Sequence, residues 1–307
     1  MNADGFVINP SGVIKHLLTI TNPLAKKPIL QLFWWRKEYL LKAVGIILEQ
    51  YSDFFSWIEL NTWCPSNTVM KSWGWSDMLK HRPETMDIIK ALSEAIHSHS
   101  DFSFSVKSRA GLNEEDKSTQ LEFLREVANY TDFISVHWRT LKQLYSWDAD
   151  FSFIKHLKEL VKIPVIANGW VQSYDHAKEV ESMWFDWVMI GQSAIGNPWI
   201  FTPYVPSAEE RLFTMLEHLK MMIAAELYFQ ENAKTLKGYK IQQLDISLLD
   251  NYKERIDKNT SYHTLVEFRK YAFCYVKWLN HAREWKIKLQ SVKTYREFEE
   301  SVKSLLS

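Results

Sequence analysis

Residues 102–109 read Phe-Ser-Phe-Ser-Val-Lys-Ser-Arg. No charge interrupts this run until Lys107, and two cations, Lys107 and Arg109, close it. Small and apolar side chains on both faces suit a strand of a parallel sheet covered by helices, rather than a sheet with one wet face. Working outward, five more runs share this character: Ile29–Phe33, Trp57–Leu60, Phe133–His137, Ile163–Asn168 and Trp187–Gly191. Amphipathic stretches lie between them, among them Pro83–His97, Glu114–Tyr130, Phe151–Leu160 and Tyr174–Ser182. Strand spacings of roughly 20 to 45 residues leave room for right-handed helical crossovers. Gly5–Asn9 is a candidate seventh strand. This count favours an α/β fold of the (β/α)8 TIM-barrel type, with an open doubly wound sheet as the alternative.

The strand signal stops after Pro203. Glu209–Gln230, Tyr262–Trp285 and Thr294–Leu306 read as helices, so the expected division is a barrel over residues 1–203 and a helical domain over 204–307. The whole chain is neutral, with 37 basic and 37 acidic residues. Between Lys234 and Arg296, however, fourteen Lys/Arg face six Asp/Glu. Such an excess is either a solvated helical face or a footprint for a phosphate backbone.

Composition removes several classes. A chain of 307 residues, 46% hydrophobic, can bury a full core. Two cysteines, Cys64 and Cys274, cannot build a disulfide framework, which makes a reducing cytoplasm the expected location. No apolar run approaches the roughly 18 residues of a membrane span, so no membrane partner is expected, and no protein partner is indicated.

In a barrel of this type chemistry gathers at the C-terminal strand ends. Polar residues stand there in nearly every unit: Gln31; Asn61 and Cys64; Lys107 and Arg109; His137 and Arg139; Asn168-Gly169; Gly191-Gln192. Singly, each has an ordinary structural reading. Together they would face one cavity. The last two pairs occupy the place where such barrels often bind phosphate. The histidines show no ligand spacing, so no metal is expected. No Walker or G-x-G-x-x-G loop occurs. Cys64, followed by Pro65 and Ser66 just past a strand, reads as a loop thiol able to act as a general acid.

LNTWCPSNTV, SVKSRAG, SVHWRTLKQLY, IPVIANGW and VMIGQSAIGNPWIF, in this order, resemble the tRNA-dihydrouridine synthases; FRKYAFCYVKWLNHARE is similar to that family's C-terminal helices. The resemblance implies an FMN-bound barrel, a helical tRNA-binding domain, and reduction of the C5–C6 bond of tRNA uridines with NADPH as reductant. By the same resemblance Cys64 is the proton donor. Gln31, Lys107 and His137 would contact the flavin ring, and Asn168, Gly169, Trp170, Gly191 and Gln192 its phosphate end. Asn61, Arg109, Arg139 and Tyr145 would hold the uracil. The alternative is a relative that binds tRNA without flavin chemistry.

The chain departs from the family in two ways. It starts at about the family's second strand, so one β/α unit is expected to be missing, which would leave unpaired strand edges. Tryptophan also stands where the family has glycine, at positions 34, 57, 63, 73, 75, 138, 147, 184, 187 and 278, and at 170, where Gly or Asp is usual. Only 9 residues are glycine and 14 are tryptophan, against a usual glycine share of about 7%. Gln192 replaces a phosphate-binding Arg. Glycine serves where φ is positive or the backbone must approach closely. One residue type replacing another so consistently points to a codon-level cause, and predicts strained backbone at these tryptophans.

Overall fold

The computed structural model describes residues 1–10, 13, 20–21, 27–63, 78–99, 102–143, 150–232, 244–256 and 262–306. Cys64 and Tyr145 lie outside the described residues, as do Trp73, Trp75 and Trp147.

Six strands form one parallel sheet: β1 (Leu30–Leu32), β2 (Trp57–Asn61), β3 (Ser103–Arg109), β4 (Phe133–His137), β5 (Val165–Asn168) and β6 (Trp187–Met189). Each strand pairs with the next in chain order. A doubly wound sheet reverses direction at a switch point; this one does not, and its progression is that of a (β/α) barrel. Helices α2 (Lys37–Gln50), α3 (Arg82–His97), α4 (Lys117–Val127), α5 (Ser152–Leu160) and α6 (Tyr174–Ser182) connect successive strands. Their apolar spacing explains how they cover the sheet. In α2, Leu40, Ala43, Val44, Ile47 and Leu48 recur at three- and four-residue intervals and are buried.

Register divides each strand between two environments. Leu30, Leu32, Ile58, Leu60, Phe104, Val106, Ile134, Val136, Val165 and Ala167 are buried in the core shared with the helices. The alternate residues face the other way. At their N-terminal end, Trp57 and Phe133 meet edge to face at 5.0 Å, and Phe133 meets Trp187 at 6.2 Å. These rings form an aromatic floor beneath the polar residues further along.

Gly5–Asn9 is not a strand. Ala3–Ile8 forms α1, because Asn2 caps it by accepting from the Gly5 backbone N–H at 3.1 Å. Asn2 instead bridges to Phe33, whose N–H donates to the Met1 carbonyl at 3.0 Å. A β-bridge thus meets the sheet just past β1, where unpaired backbone was expected.

The C-terminal region comprises α7 (Ala208–Asn232), α8 (Ile246–Lys253), α9 (Tyr262–Val276), α10 (Ala282–Ser291) and α11 (Tyr295–Leu306), with one two-residue strand, Leu244–Asp245, that pairs in parallel with Ile20–Thr21 where no strand was expected. The predicted single helix over Tyr262–Trp285 is two, broken where His281 adopts φ 57°. Leu212, Met215, Leu219 and Ile223 of α7 pack on Leu265, Phe268, Ala272 and Val276 of α9, in a second apolar core. This region meets the barrel closely at Gly196, φ 68°, where a Cβ would stand 2.4 Å from the Tyr275 amide nitrogen. Only glycine fits there.

Candidate active site

The polar strand-end residues fall on adjacent register rows. Gln31 pairs with Glu59, Asn61 with Lys107, and Arg109 with His137, which pairs in turn with Asn168. Because side chains alternate with a period of two, Glu59 and Asn61 share a face, as do Ser105, Lys107 and Arg109. The hydrogen bonds agree. Gln31 donates to Glu59 Oε1 at 2.7 Å and accepts from Asn61 at 2.9 Å. Ser105 and Ser135 donate to Glu59 Oε2 at 3.4 and 3.1 Å. Asn61 Oδ1 in turn accepts from the Trp63 backbone N–H at 2.8 Å, fixing the chain one residue before Cys64.

Glu59 is the centre of this network, and nothing in the sequence reading singled it out. Its signal was present: a lone acid inside the apolar run WIEL. A buried carboxylate persists only when it is hydrogen-bonded or paired, and Glu59 is 3% exposed. It faces Lys107. Burial pushes the Lys107 pKa down to about 8; Glu59 pulls it up, and Arg109 lowers it further. Lys107 is therefore mostly charged at neutral pH and loses its proton just above it.

His137 behaves differently. Burial first, then Arg109, Lys107 and Arg139, lower its pKa to about 3. It is neutral at physiological pH. The Arg139 backbone N–H donates to His137 Nδ1 at 3.2 Å, so the ring proton sits on Nε2.

A cavity of about 450 Å³ opens at the ends of β3 to β6. Arg109, His137 and Arg139 line one side; Asn168, Gly169 and Trp170 another; Gly191, Gln192 and Ser193 close the far end. Lys277, just past α9, reaches the same cavity and was also missed by sequence reasoning. Asn168 donates to the Met189 carbonyl at 2.9 Å, tying β5 to β6 at the cavity wall. Gly169 has φ 115°, and a Cβ there would lie 2.7 Å from Trp138 and 2.9 Å from His137 Nε2. The lining is positive: Arg109, Arg139 and Lys277 stand in it with no carboxylate among the described lining residues, and His137 is neutral. Gln31, Asn61, Lys107, Arg109, His137, Arg139, Asn168, Gly169, Trp170, Gly191 and Gln192 are thus gathered at one end of the sheet.

A larger hollow, about 1140 Å³, lies between α3 and α4, away from the strand ends. Its charges are already matched in surface pairs such as Lys90–Glu126 at 3.1 Å, and it offers no reactive group. Among the described residues no cluster of three or more His, Cys, Asp or Glu is placed to hold a metal, and no helix is long and apolar enough to cross a membrane.

Comparison with known proteins agrees with this geometry. The model of the dihydrouridine synthase (Dus) family matches residues 6–307. A probable tRNA-dihydrouridine synthase of Rickettsia bellii is 33% identical over 190 residues, covering 57% of this chain and 56% of that protein. The tRNA-dihydrouridine synthase B of Shewanella oneidensis is 32% identical over 196 residues, covering 59% and 58%. A probable tRNA-dihydrouridine synthase of Aquifex aeolicus is 29% identical over 205 residues, covering 64% and 63%. The chain spans about half the length of the curated relatives it matches. A family match running through both the six-stranded sheet and the C-terminal helices leaves one assignment: the chain belongs to the dihydrouridine synthase (Dus) family.

Proposed function

We propose that this chain is a tRNA-dihydrouridine synthase, reducing the C5–C6 double bond of particular uridines in tRNA with FMN as cofactor and NADPH as reductant. One observation carries the reading: the C-terminal ends of four successive strands, β3 to β6, bring Arg109, His137, Arg139 and Asn168 to a single cavity with an excess of positive charge. Its volume lies within the 300–1,000 Å³ usual for ligand sites. A phosphorylated, flat aromatic group suits it, because Gly169 removes the Cβ that would fill the wall and the cations match an anion. Bound there, FMN supplies hydride to uracil C6 after reduction by NADPH.

The chain's own residues do the rest. Lys107 presents positive charge to the flavin ring, with Glu59 and Gln31 holding the surrounding hydrogen bonds. His137, neutral, offers an Nε2–H rather than a second full charge. Asn168, Gly169, Trp170, Gly191 and Gln192 form the phosphate end. Asn61, Arg109, Arg139 and Tyr145 hold the uracil, and Cys64 gives its thiol proton to C5. A base stacked within folded tRNA cannot reach this depth, so the nucleotide is flipped out. Residues 204–307 form the tRNA-binding domain, whose basic 234–296 segment holds the backbone by shape and charge. Lys277 brings that charge to the cavity itself.

A second reading, tRNA binding without flavin chemistry, is favoured by one feature: the Trp170 ring stands in the phosphate end, packed on Arg139. Dihydrouridine formation in unmodified tRNA, supplied with FMN and NADPH, decides between them. The first reading expects product with the native chain and none with Cys64→Ala, while NADPH still bleaches the flavin in both. Colourless protein that shifts tRNA in a salt-sensitive way supports the second.

A further inference from the structure

We infer that residues 138, 170 and 184 are glycine in the protein its own cell makes, and that the Trp170 indole, backed across Arg139 by the buried indole of Trp138, plugs the phosphate end of the cavity. Among the described residues three non-glycine positions have positive φ: Trp170 at 61°, Trp184 at 80° and His281 at 57°. Histidine is among the types enriched in this region; a bulky aromatic there is a genuine outlier. Each such site costs about 1–3 kcal/mol unless its surroundings over-determine it.

At Trp184 nothing offsets that cost. The side chain is 80% exposed. Met183 caps α6, its N–H donating to the Val180 carbonyl at 3.1 Å, so residue 184 is the position just past the cap. A left-handed residue at this point ends many helices, and it is usually glycine. Trp170 follows Gly169, whose φ is 115°, at the end of β5 and is 44% exposed.

Trp138 shows the burial counterpart. It is 1% exposed, and its indole N–H has no hydrogen-bond partner among the described residues. Trp57 and Trp63 repeat this fault. A buried Trp N–H ordinarily finds an acceptor, and leaving it without one costs about 1–3 kcal/mol. Strained, exposed and unsatisfied tryptophans in one chain, beside a glycine count of 9 in 307, have one economical cause. The codon UGA is read as glycine in the source and has been rendered as tryptophan in this sequence.

The consequence falls on the cavity, and this clause rests on the function proposed above. Arg139 is clasped between two indoles, its guanidinium carbon 4.6 Å from the Trp138 ring and 5.1 Å from the Trp170 ring. With glycine at both positions the rings vanish. The guanidinium then faces Gly191, Gln192 and Lys277 across open space, which suits a phosphate monoester.

The test has two arms. The gene's codons at 138, 170 and 184, and peptide masses of protein purified from its own cells, read the residues directly. UGA codons with glycine masses are expected; UGG codons or indole-bearing peptides overturn the inference whatever the cofactor. Separately, Trp138→Gly/Trp170→Gly is expected to tighten FMN at least about tenfold while leaving riboflavin, which lacks the phosphate, little changed. An equal gain for both flavins, or none for FMN, overturns the plug. Trp184→Gly alone is expected to raise the melting temperature, and a fall contradicts the assignment there.

Discussion

The two faces of the same six strands make opposite use of neighbouring residues. Ile58 and Leu60 are buried in the helix-covered core, whereas Glu59 between them anchors a polar network on the opposite face. Val106 and Lys107 divide in the same way. One face contributes stability and tolerates no charge; the other assembles charge and contributes little to the apolar core. A shift of one residue in register would exchange them, which is why the rows Asn61–Lys107 and Arg109–His137–Asn168 carry the functional argument.

The difference can be broken from either side. Ile58→Ala, on the core face, is expected to lower unfolding free energy by about 2–5 kcal/mol, measured by denaturant titration, with flavin affinity of the folded fraction unchanged. Lys107→Met, one face over, is expected to do the reverse. Uridine reduction should fall by about 10²-fold or more, while the melting temperature holds or rises, since burial of this ammonium opposes folding. Gly169→Ala strikes both faces of the argument, through its φ of 115° and the close Trp138 ring. A loss of about 1–3 kcal/mol, together with weakened FMN binding, is expected.

The smallest effects concern pH. Protonated Lys107 favours an anionic ligand, so flavin affinity should be highest below pH 8 and fall as pH rises through about 8. His137, with its pKa near 3, should add no step between pH 5 and 7. Glu59→Gln removes the charge that raises the Lys107 pKa, and should move the alkaline limb to lower pH. A limb that stays in place would detach Glu59 from Lys107.

Much of this was legible in the letters. Apolar runs ending in polar residues identified all six strands, because each strand must bury one face against the helices; Glu59 is the one charge inside such a run. The strand ends named Lys107, His137 and Asn168, which the register sets on adjacent rows. Glu59 was not legible, since its partners Gln31, Ser105 and Ser135 come from three other strands and share no local pattern. Lys277 belongs to a different region of the chain and reaches the cavity only through tertiary packing. GFVIN read as a strand because five residues cannot distinguish the two periods; the Asn2 cap settled it as helix. The break in Tyr262–Trp285 is a backbone event at His281, not visible in the apolar pattern.

On the function proposed, the inward residues of these strands form one flavin site. Titrating FMN into the chain carrying glycine at positions 138 and 170, and following flavin fluorescence, tests it most directly. Quenching that saturates at one FMN per chain, and that is weakened by adding either Lys107→Met or His137→Ala, is expected. Quenching indifferent to both substitutions, or no quenching at all, would contradict it.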